Sequence, residues 1–153
     1  MSSGVRLRFT KGNGKYDLME VVRPDGAVER IDCPKQGIIP HDMVHYAVED
    51  TLRLRGFIGR VAGGETASFR MAAEAESDGV ERLVEVMQGD GWSGGTTPAA
   101  EMIDLYRVTC EARGCPMLPV DEADIAAVRE RIATLTEAWT AVPVGKAIEL
   151  SVA

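Results

Sequence analysis

Apolar and polar residues alternate in the first part of the chain. In VRLRFT, the apolar Val5, Leu7 and Phe9 are separated by arginines, which is the two-residue period of a strand with one buried face. Glycine and proline in KGNGK and RPDG predict turns on either side of YDLMEVV, and GAVERID follows the second turn. We therefore predict a three-stranded antiparallel meander over the first 32 residues.

The same alternation returns near the other end of the chain. In KAIELSV, Ile148, Leu150 and Val152 share one side of a strand. A lone strand must pair with a sheet, and the meander is the only sheet that the sequence predicts. We expect the terminal strand to join the meander, which makes residues 1–153 a single domain.

Between these strands the apolar period becomes that of α-helices. Four helix starts are predicted, at Pro40, Asp78, Thr97 and Asp121. The second start rests on a D-x-x-E capping signal formed by Asp78 with Glu81. The third helix carries Met102, Leu105, Tyr106 and Thr109 on one face, and the fourth has the clearest apolar stripe, Ile125, Val128, Ile132, Leu135 and Trp139. The expected fold class is therefore α+β: a small antiparallel β-sheet, the N-terminal three-stranded meander plus the C-terminal strand, covered on one face by about four α-helices.

Two glycine-rich stretches, GFIGRVAGGE and GDGWSGGTTP, separate the predicted helices. Neither has the Gly-Lys-Ser/Thr ending of a phosphate loop, and neither leads from a predicted strand into a helix. We expect both to be flexible connections. Trp92 in the second stretch is expected either to pack onto the core or to cover a pocket.

Composition and charge exclude several classes of partner. The hydrophobic fraction of 45% and charged fraction of 27% are ordinary for a soluble globular protein. The net charge of −7, with lysine and arginine scattered among acids, argues against a nucleic-acid partner. No apolar stretch approaches the ~20 residues that span a bilayer, and MSSGVRLRFT lacks the apolar run of a secretory signal. We expect a cytoplasmic protein with no membrane partner.

The two histidines of the chain stand four residues apart, in IIPHDMVHYAVED. On the predicted first helix, which runs to about Leu54, Val44, Ala47, Val48 and Leu52 form the apolar face. His41 and His45 lie at the edge of that face, where both imidazoles can converge on one ion. The positive end of the helix dipole also disfavours a charged His41. The sequence thus predicts a divalent-metal site on His41 and His45, with zinc, iron or nickel as the metals that imidazole suits.

The segment HDMVH resembles the zincin motif HExxH, with Asp42 in the place of the general-base glutamate. The resemblance covers five residues and departs at the catalytic one. Aspartate is one methylene shorter and reaches a metal-bound water less readily, so the resemblance does not imply proteolysis.

A metal site needs a third ligand, and the sequence leaves several alternatives open. Glu49 lies two helical turns beyond His41; it could share an ion with His45, orient His45 from behind, or pair with Arg53 towards solvent. A ligand from another element is also expected, and the candidates are Asp32, Cys33, Glu101 and Asp104. Asp42 and Glu49 are the candidate catalytic proton carriers.

The longer string IIPHDMVHYAVEDTLRLRGFIGRVAGG resembles a group of uncharacterised bacterial proteins that carry HDL(T/V)HYAVE followed by GF(Y/F)GL(V/L)A. His41, Asp42, His45 and the segment from Tyr46 to Glu49 match, while Met43 and Val44 occupy variable places. The similarity covers about 27 residues and implies no activity. It points to the histidine helix as the functional region.

Two functions of different class follow from this pattern. In the first, His41 and His45 bind a divalent ion that activates water for hydrolysis of a small molecule or protein. In the second, the histidine pair is structural, and the polar helix edge of a non-catalytic module binds a ligand, a protein partner or a second subunit.

Overall fold

The computed structural model describes residues 3–65 and 74–153. The strands are β1 (Arg6–Thr10), β2 (Tyr16–Val22), β3 (Val28–Pro34) and β4 (Ala147–Ser151). The helices are α1 (His41–Leu52), α2 (Phe57–Ala62), α3 (Ala75–Trp92), α4 (Ala99–Arg113) and α5 (Glu122–Thr140). The predicted α+β class is confirmed, with five helices in the described residues where about four were expected.

The four strands form one antiparallel sheet in the order β3-β2-β1-β4. Phe9 stands opposite Met19 on one side and Ile148 on the other. The C-terminal strand therefore pairs with β1, which confirms the predicted meander and its terminal partner.

The sheet has one apolar and one charged face. Leu7, Phe9 and Met19 are fully buried and belong to a single core cluster with apolar residues of the helices. On the opposite face, Arg8 forms ion pairs with Glu20 and Glu149. This division is typical of an antiparallel sheet with one solvated face, and it confirms that the helices cover one side only.

Helix α1 is the central helix of the layer, since it packs against α2, α3 and α5. Every residue from Met43 to Glu49 is buried, so the helix is enclosed on almost all sides. His41 is half-buried, as its predicted edge position implies, whereas His45 is only 2% exposed and lies deeper than predicted. Of the alternatives for Glu49, the pairing with Arg53 towards solvent is wrong, because the exposed fraction of Glu49 is 5%.

Two segments differ from their predicted structure. GFIGRVAGGE is not a simple connection, since it contains helix α2. Helix α3 begins at Ala75, with Glu74 as its N-cap, and extends through Trp92. The capping assignment of Asp78 with Glu81 is therefore wrong, because both residues lie inside the helix. The side chain of Glu81 does not cap α3.

The last two helices agree more closely with their patterns. Asp121 caps α5 and forms a capping box with Asp124. Of the predicted α5 stripe, Ile125, Val128, Leu135 and Trp139 are buried. On α4, Met102 and Tyr106 are buried as expected, but Leu105 is 52% exposed and Cys110 takes its place in the core.

Trp92 does not pack into the core, since 57% of it is exposed. Its indole Nε1 donates to the main-chain carbonyl of Gln36 at 2.8 Å. Within the described part of the chain, no helix is both long and apolar enough to cross a membrane.

Candidate metal centre

The two histidines of α1 face two polar side chains of α3, Glu81 and Gln88. One ligand atom each from His41, His45 and Glu81 can be chosen so that all three lie within 4.8 Å of one another. His45 Nε2 lies 2.7 Å from Glu81 Oε2, and His41 Nε2 lies 3.2 Å from Glu81 Oε1. Ligand atoms around a four-coordinate zinc ion stand about 3.3 Å apart. The three side chains therefore form a group that could hold a metal ion.

His45 is held between two carboxylates. Its Nδ1 lies 3.1 Å from Glu49 Oε2, and its Nε2 faces Glu81 on the opposite side of the ring. Ionised carboxylates only accept hydrogen bonds, so an imidazole that satisfies both must carry two protons. A metal ion bound by both Nε2 and Glu81 would leave only the Nδ1 proton on the imidazole, and these two ligand atoms would separate from 2.7 Å to about 3.3 Å. This is the carboxylate–histidine–metal arrangement common in metalloproteins.

His41 has a comparable arrangement with a weaker acceptor. Its Nδ1 lies 3.0 Å from the side-chain oxygen of Gln88, while its Nε2 faces Glu81. The two imidazole rings contact each other edge to face, with their centroids 4.8 Å apart. Both histidines thus direct Nδ1 towards a protein acceptor and Nε2 towards the same carboxylate.

Glu49 is fixed by the start of α2. Its Oε1 accepts hydrogen bonds from the backbone N–H groups of Gly56 and Gly59, each at 2.8 Å, and its Oε2 accepts from that of Ile58 at 3.1 Å. With His45, these donors fill the roughly four acceptor positions of a carboxylate. The orienting role foreseen for Glu49 is the one that its contacts support, and the predicted ion pair with Arg53 is absent from its described contacts.

Gly56 makes this fixation possible. A Cβ atom at this position would lie 2.5 Å from Val80 Cγ1 and 3.0 Å from Glu49 Cδ. The backbone can approach the buried carboxylate only because residue 56 has no side chain. Helix α2, which the sequence did not predict, therefore holds the carboxylate that contacts His45.

The charged side chains of the metal-site cluster, which is made up of His41, His45, Glu49 and Glu81, stabilise one another. Burial acts to lower the pKa of His45, but hydrogen bonds and charge attraction from Glu49 and Glu81 raise it from 6.5 to about 10. Burial opposes the same effect at His41, whose pKa is nevertheless raised by its hydrogen bonds to Glu81 and Gln88. Burial acts to raise the pKa of Glu81, yet both histidines hold that pKa well below its ordinary value. Without metal, Glu81 and the two imidazoles form a hydrogen-bonded network that the raised pKa of His45 and the lowered pKa of Glu81 make a charged one.

The group is accessible from one side. The side chain of His45 is 3% exposed, whereas those of His41 and Glu81 are 39% and 34% exposed. Two imidazoles and one carboxylate leave at least one coordination position for water or substrate, which is typical of catalytic and not of purely structural zinc sites. The same set is found in non-haem iron(II) proteins.

Asp42 lies apart from the described ligand contacts. Its Oδ2 is 3.8 Å from the thiol of Cys33 on β3. Burial raises the pKa of Asp42, while the positive charges of His45 and His41 act to lower it. Burial likewise raises the pKa of the Cys33 thiol, to about 12, which disfavours the thiolate that a metal ligand requires.

The other predicted third ligands are not in the group. Cys33 lies next to Asp42, while Asp32, Glu101 and Asp104 are exposed elsewhere. The third member is Glu81, for which the sequence pattern indicated a helix cap. The available signal was weak: Glu81 and Gln88 are seven residues apart, and therefore share one face of α3. Only the packing of α3 on α1 shows that this face meets the histidines.

No protein-family model, curated protein sequence or solved structure matches this chain. The resemblance of the HDMVHYAVE string to a bacterial group therefore stays a prediction, and the function must be inferred from the side chains themselves.

Proposed function

We propose that the chain binds one divalent transition-metal ion through His41, His45 and Glu81 and uses it to activate water for hydrolysis. The observation that supports the proposal best is the convergence of both Nε2 atoms on the Glu81 carboxylate, at 3.2 and 2.7 Å. Zinc and iron(II) are the metals that two imidazoles and one carboxylate favour, and nickel is the third candidate.

Charge balance supports a divalent ion in this position. Glu49 and Glu81 place two carboxylates beside His45, and in the metal-free state the imidazolium of His45, whose pKa is raised to about 10, faces both of them. When an ion binds, the Nε2 protons leave and the ion supplies the positive charge instead. The net charge next to the buried His45 then remains close to neutral, which avoids the large cost of an unpaired buried charge.

The remaining polar residues have separate roles in this proposal. Glu49 holds His45, because its acceptor positions are occupied by Gly56, Ile58, Gly59 and His45. Asp42 is then the remaining candidate for a catalytic proton carrier, since the Glu49 carboxylate is fully occupied; the Asp42 carboxylate has its own contact with the Cys33 thiol at 3.8 Å. A bound metal would lower the pKa of its water towards neutrality, which supplies the nucleophile for hydrolysis.

A structural role for the histidine pair is the second candidate, and one observation favours it. Every side-chain nitrogen and oxygen of the cluster that is buried in the described residues has a hydrogen-bond partner without a metal. The cluster could therefore join α1 to α3 as a network of ion pairs, in a module that binds a ligand or a protein partner.

Metal analysis of untagged protein separates the two functions. We expect close to one equivalent of metal per chain, or full occupancy after incubation with zinc or iron(II). His41→Ala, His45→Ala and Glu81→Gln should each abolish stoichiometric binding, because each removes one ligand. Glu85→Gln is the matched control, since Glu85 lies one turn further along α3 and pairs with Arg82 instead. A metal-to-protein ratio near zero for the wild type under all loading conditions would leave the structural role as the better description.

Hydrolysis needs its own test. The metal-loaded chain should cleave members of a panel of carboxylic, phosphoric and amide substrates, and a chelator should remove that activity. Asp42→Asn should lose activity while it retains the metal, because Asp42 is not a ligand in the proposal. A stoichiometrically loaded chain that binds members of the panel without cleaving any would contradict hydrolysis and leave a metal-dependent binding protein.

A further inference from the structure

Helix α3 supplies a second polar residue to the cluster besides Glu81. Gln88 lies two turns further along the same face of α3 and is 6% exposed. Its side-chain oxygen lies 3.0 Å from His41 Nδ1 and 2.9 Å from Gln36 Nε2. In a glutamine this buried, the side-chain oxygen and nitrogen must each face a suitable partner. A reversed amide would point its N–H groups at other hydrogen-bond donors.

The hydrogen-bond network defines the orientation of that amide. The side chain of Gln36 donates from Nε2 to the main-chain carbonyl of Ile39 at 2.8 Å. A carbonyl can only accept, so the Gln36 atom in this position must be the nitrogen. The Gln88 atom that faces the same nitrogen must then be the oxygen, and His41 Nδ1 must donate to it.

We propose that Gln88 is a positioning residue of the metal centre, which holds His41 in the tautomer with its proton on Nδ1 and its Nε2 lone pair directed at the ion. The proposal rests on the proposed metal binding. Gln88 acts at His41 as Glu49 acts at His45, but with a neutral amide in place of a carboxylate. Hydrogen-bond partners of this kind typically contribute 10- to 100-fold to metal affinity.

The difference between the two acceptors has a consequence for the site. A carboxylate makes its histidine a stronger donor to the metal than a neutral amide does. His45, which is buried and held by Glu49, is then the stronger ligand, and the half-exposed His41 is the weaker one. We expect metal to be gained and lost on the side of His41, where the site is open.

Zinc affinity of Gln88 variants tests the proposal. Gln88→Met keeps the length of the side chain without an acceptor, and zinc affinity should fall by about 10- to 100-fold. Gln88→Glu keeps an acceptor in the same place and makes it a carboxylate, so zinc affinity should equal or exceed that of the wild type. Glu85→Gln, on the same helix outside the cluster, is the control. Affinities are measured by competition with a chromogenic chelator, and the metal-free variants are compared by thermal unfolding.

Imidazole NMR provides a readout that a purely structural role would not change. Because the chain has only two histidines, ¹⁵N-histidine labelling gives two ring systems; His41→Ala assigns them in the metal-free protein, and a zinc titration of the wild type transfers the assignment to the loaded state. In the zinc-loaded wild type, both rings should show a protonated Nδ1 that exchanges slowly with water. In Gln88→Met the His41 Nδ1 proton should exchange rapidly, while the His45 signal stays unchanged.

The outcomes separate this inference from the proposed function. A wild type that binds no zinc contradicts the metal site itself. A wild type that binds zinc, with Gln88→Met equally tight and the His41 proton unchanged, overturns only the role of Gln88. If Gln88→Met does not fold, the Gln36→Met variant takes its place in the test. Gln36 lies in the loop between β3 and α1, and the substitution removes the donor that orients Gln88. A smaller loss of affinity with faster His41 exchange is then expected, and unchanged values overturn the inference.

Discussion

The imidazole of His45 lies between the carboxylates of Glu49 and Glu81, with Nε2 at 2.7 Å from Glu81 Oε2. This contact joins α1 to α3 at a buried point and also marks the place of the proposed ion. Under the proposed function, the same pair of atoms should contribute to stability without metal and to affinity with metal.

Replacing Glu81 with glutamine should separate these two contributions. Zinc binding should be lost, because an amide is a poor metal ligand. The metal-free variant should be less stable by roughly 1–3 kcal/mol, because His45 loses the acceptor of a charged hydrogen bond in a buried position. Urea unfolding with Glu85→Gln as the control measures this change. A metal-free Glu81→Gln protein as stable as the wild type would show that the contact contributes little.

The stability of the metal-free protein should depend on pH through His45. Its pKa rises from 6.5 to about 10 on folding, so the folded state binds the proton more tightly than the unfolded state does. The stabilisation is fully present below pH 6.5 and is lost as the pH rises to about 10. Glu81 acts in the opposite direction: its pKa falls below 4.5 on folding, so its contribution is present above that pH and is lost in stronger acid.

Urea midpoints measured between pH 4 and pH 10 at about one-unit intervals test this dependence. The free energy of unfolding should decline across the alkaline half of the range, and the decline should be smaller in His45→Gln. A wild type and a His45→Gln variant with parallel profiles would contradict the charged state of His45. Saturation with zinc should reduce the alkaline decline, since the ion takes the place of the proton.

Gly56→Ala should disturb the support of His45. The added Cβ would lie 2.5 Å from Val80 Cγ1, so the variant should lose about 1–3 kcal/mol through overpacking. Zinc affinity should fall as well, because Glu49 must shift. Gly89→Ala is the matched control: a Cβ atom added to this helical glycine would have nothing within 4 Å, and alanine there should stabilise α3 by about 0.5–1 kcal/mol. Equal effects of both variants would refute the requirement for glycine at residue 56.

Deletion of residues 147–153 should abolish cooperative unfolding. Strand β4 pairs with β1 along its whole length, and its removal exposes one side of the central part of the sheet together with the apolar Leu7 and Phe9. Thermal unfolding followed by circular dichroism measures the effect. Glu149→Gln, on the charged face, is the control and should change the midpoint little, since exposed ion pairs contribute about 0–1 kcal/mol. A truncated chain with an unchanged transition would contradict the prediction.

The strands and the last helix could be predicted because their signals are local. Alternation in VRLRFT and KAIELSV defines the buried face of each strand, and Asp121 with the stripe that ends at Trp139 defines α5. The terminal strand could be paired correctly because the sequence predicts a single sheet. In these cases periodicity and capping are sufficient, since the residues that carry the signal are neighbours in the chain.

The candidate site could be predicted only in part, because its contacts are tertiary. The spacing of His41 and His45 indicated a shared ion, but Glu81 comes from another helix and resembles an ordinary capping residue. The burial of Glu49 could not be predicted, because the sequence shows only one apolar face of α1; it follows from the packing of α1 against three other helices. Helix α2 lacked a signal because its start is stabilised by the carboxylate of Glu49, a distant side chain, and not by a local cap.

The contacts of His45 with two carboxylates have a consequence for the order of folding and metal loading. Many small metal sites cannot form until the metal arrives, so their chains fold and load in one step. Here the two histidines that are the proposed ligands are already held by hydrogen bonds to Glu49, Glu81 and Gln88. Under the proposed function, the chain folds before it binds metal, with protons on its imidazoles. These protons are exchanged for an ion later. A cell short of metal would then accumulate an intact, inactive reserve of the protein that is ready for loading.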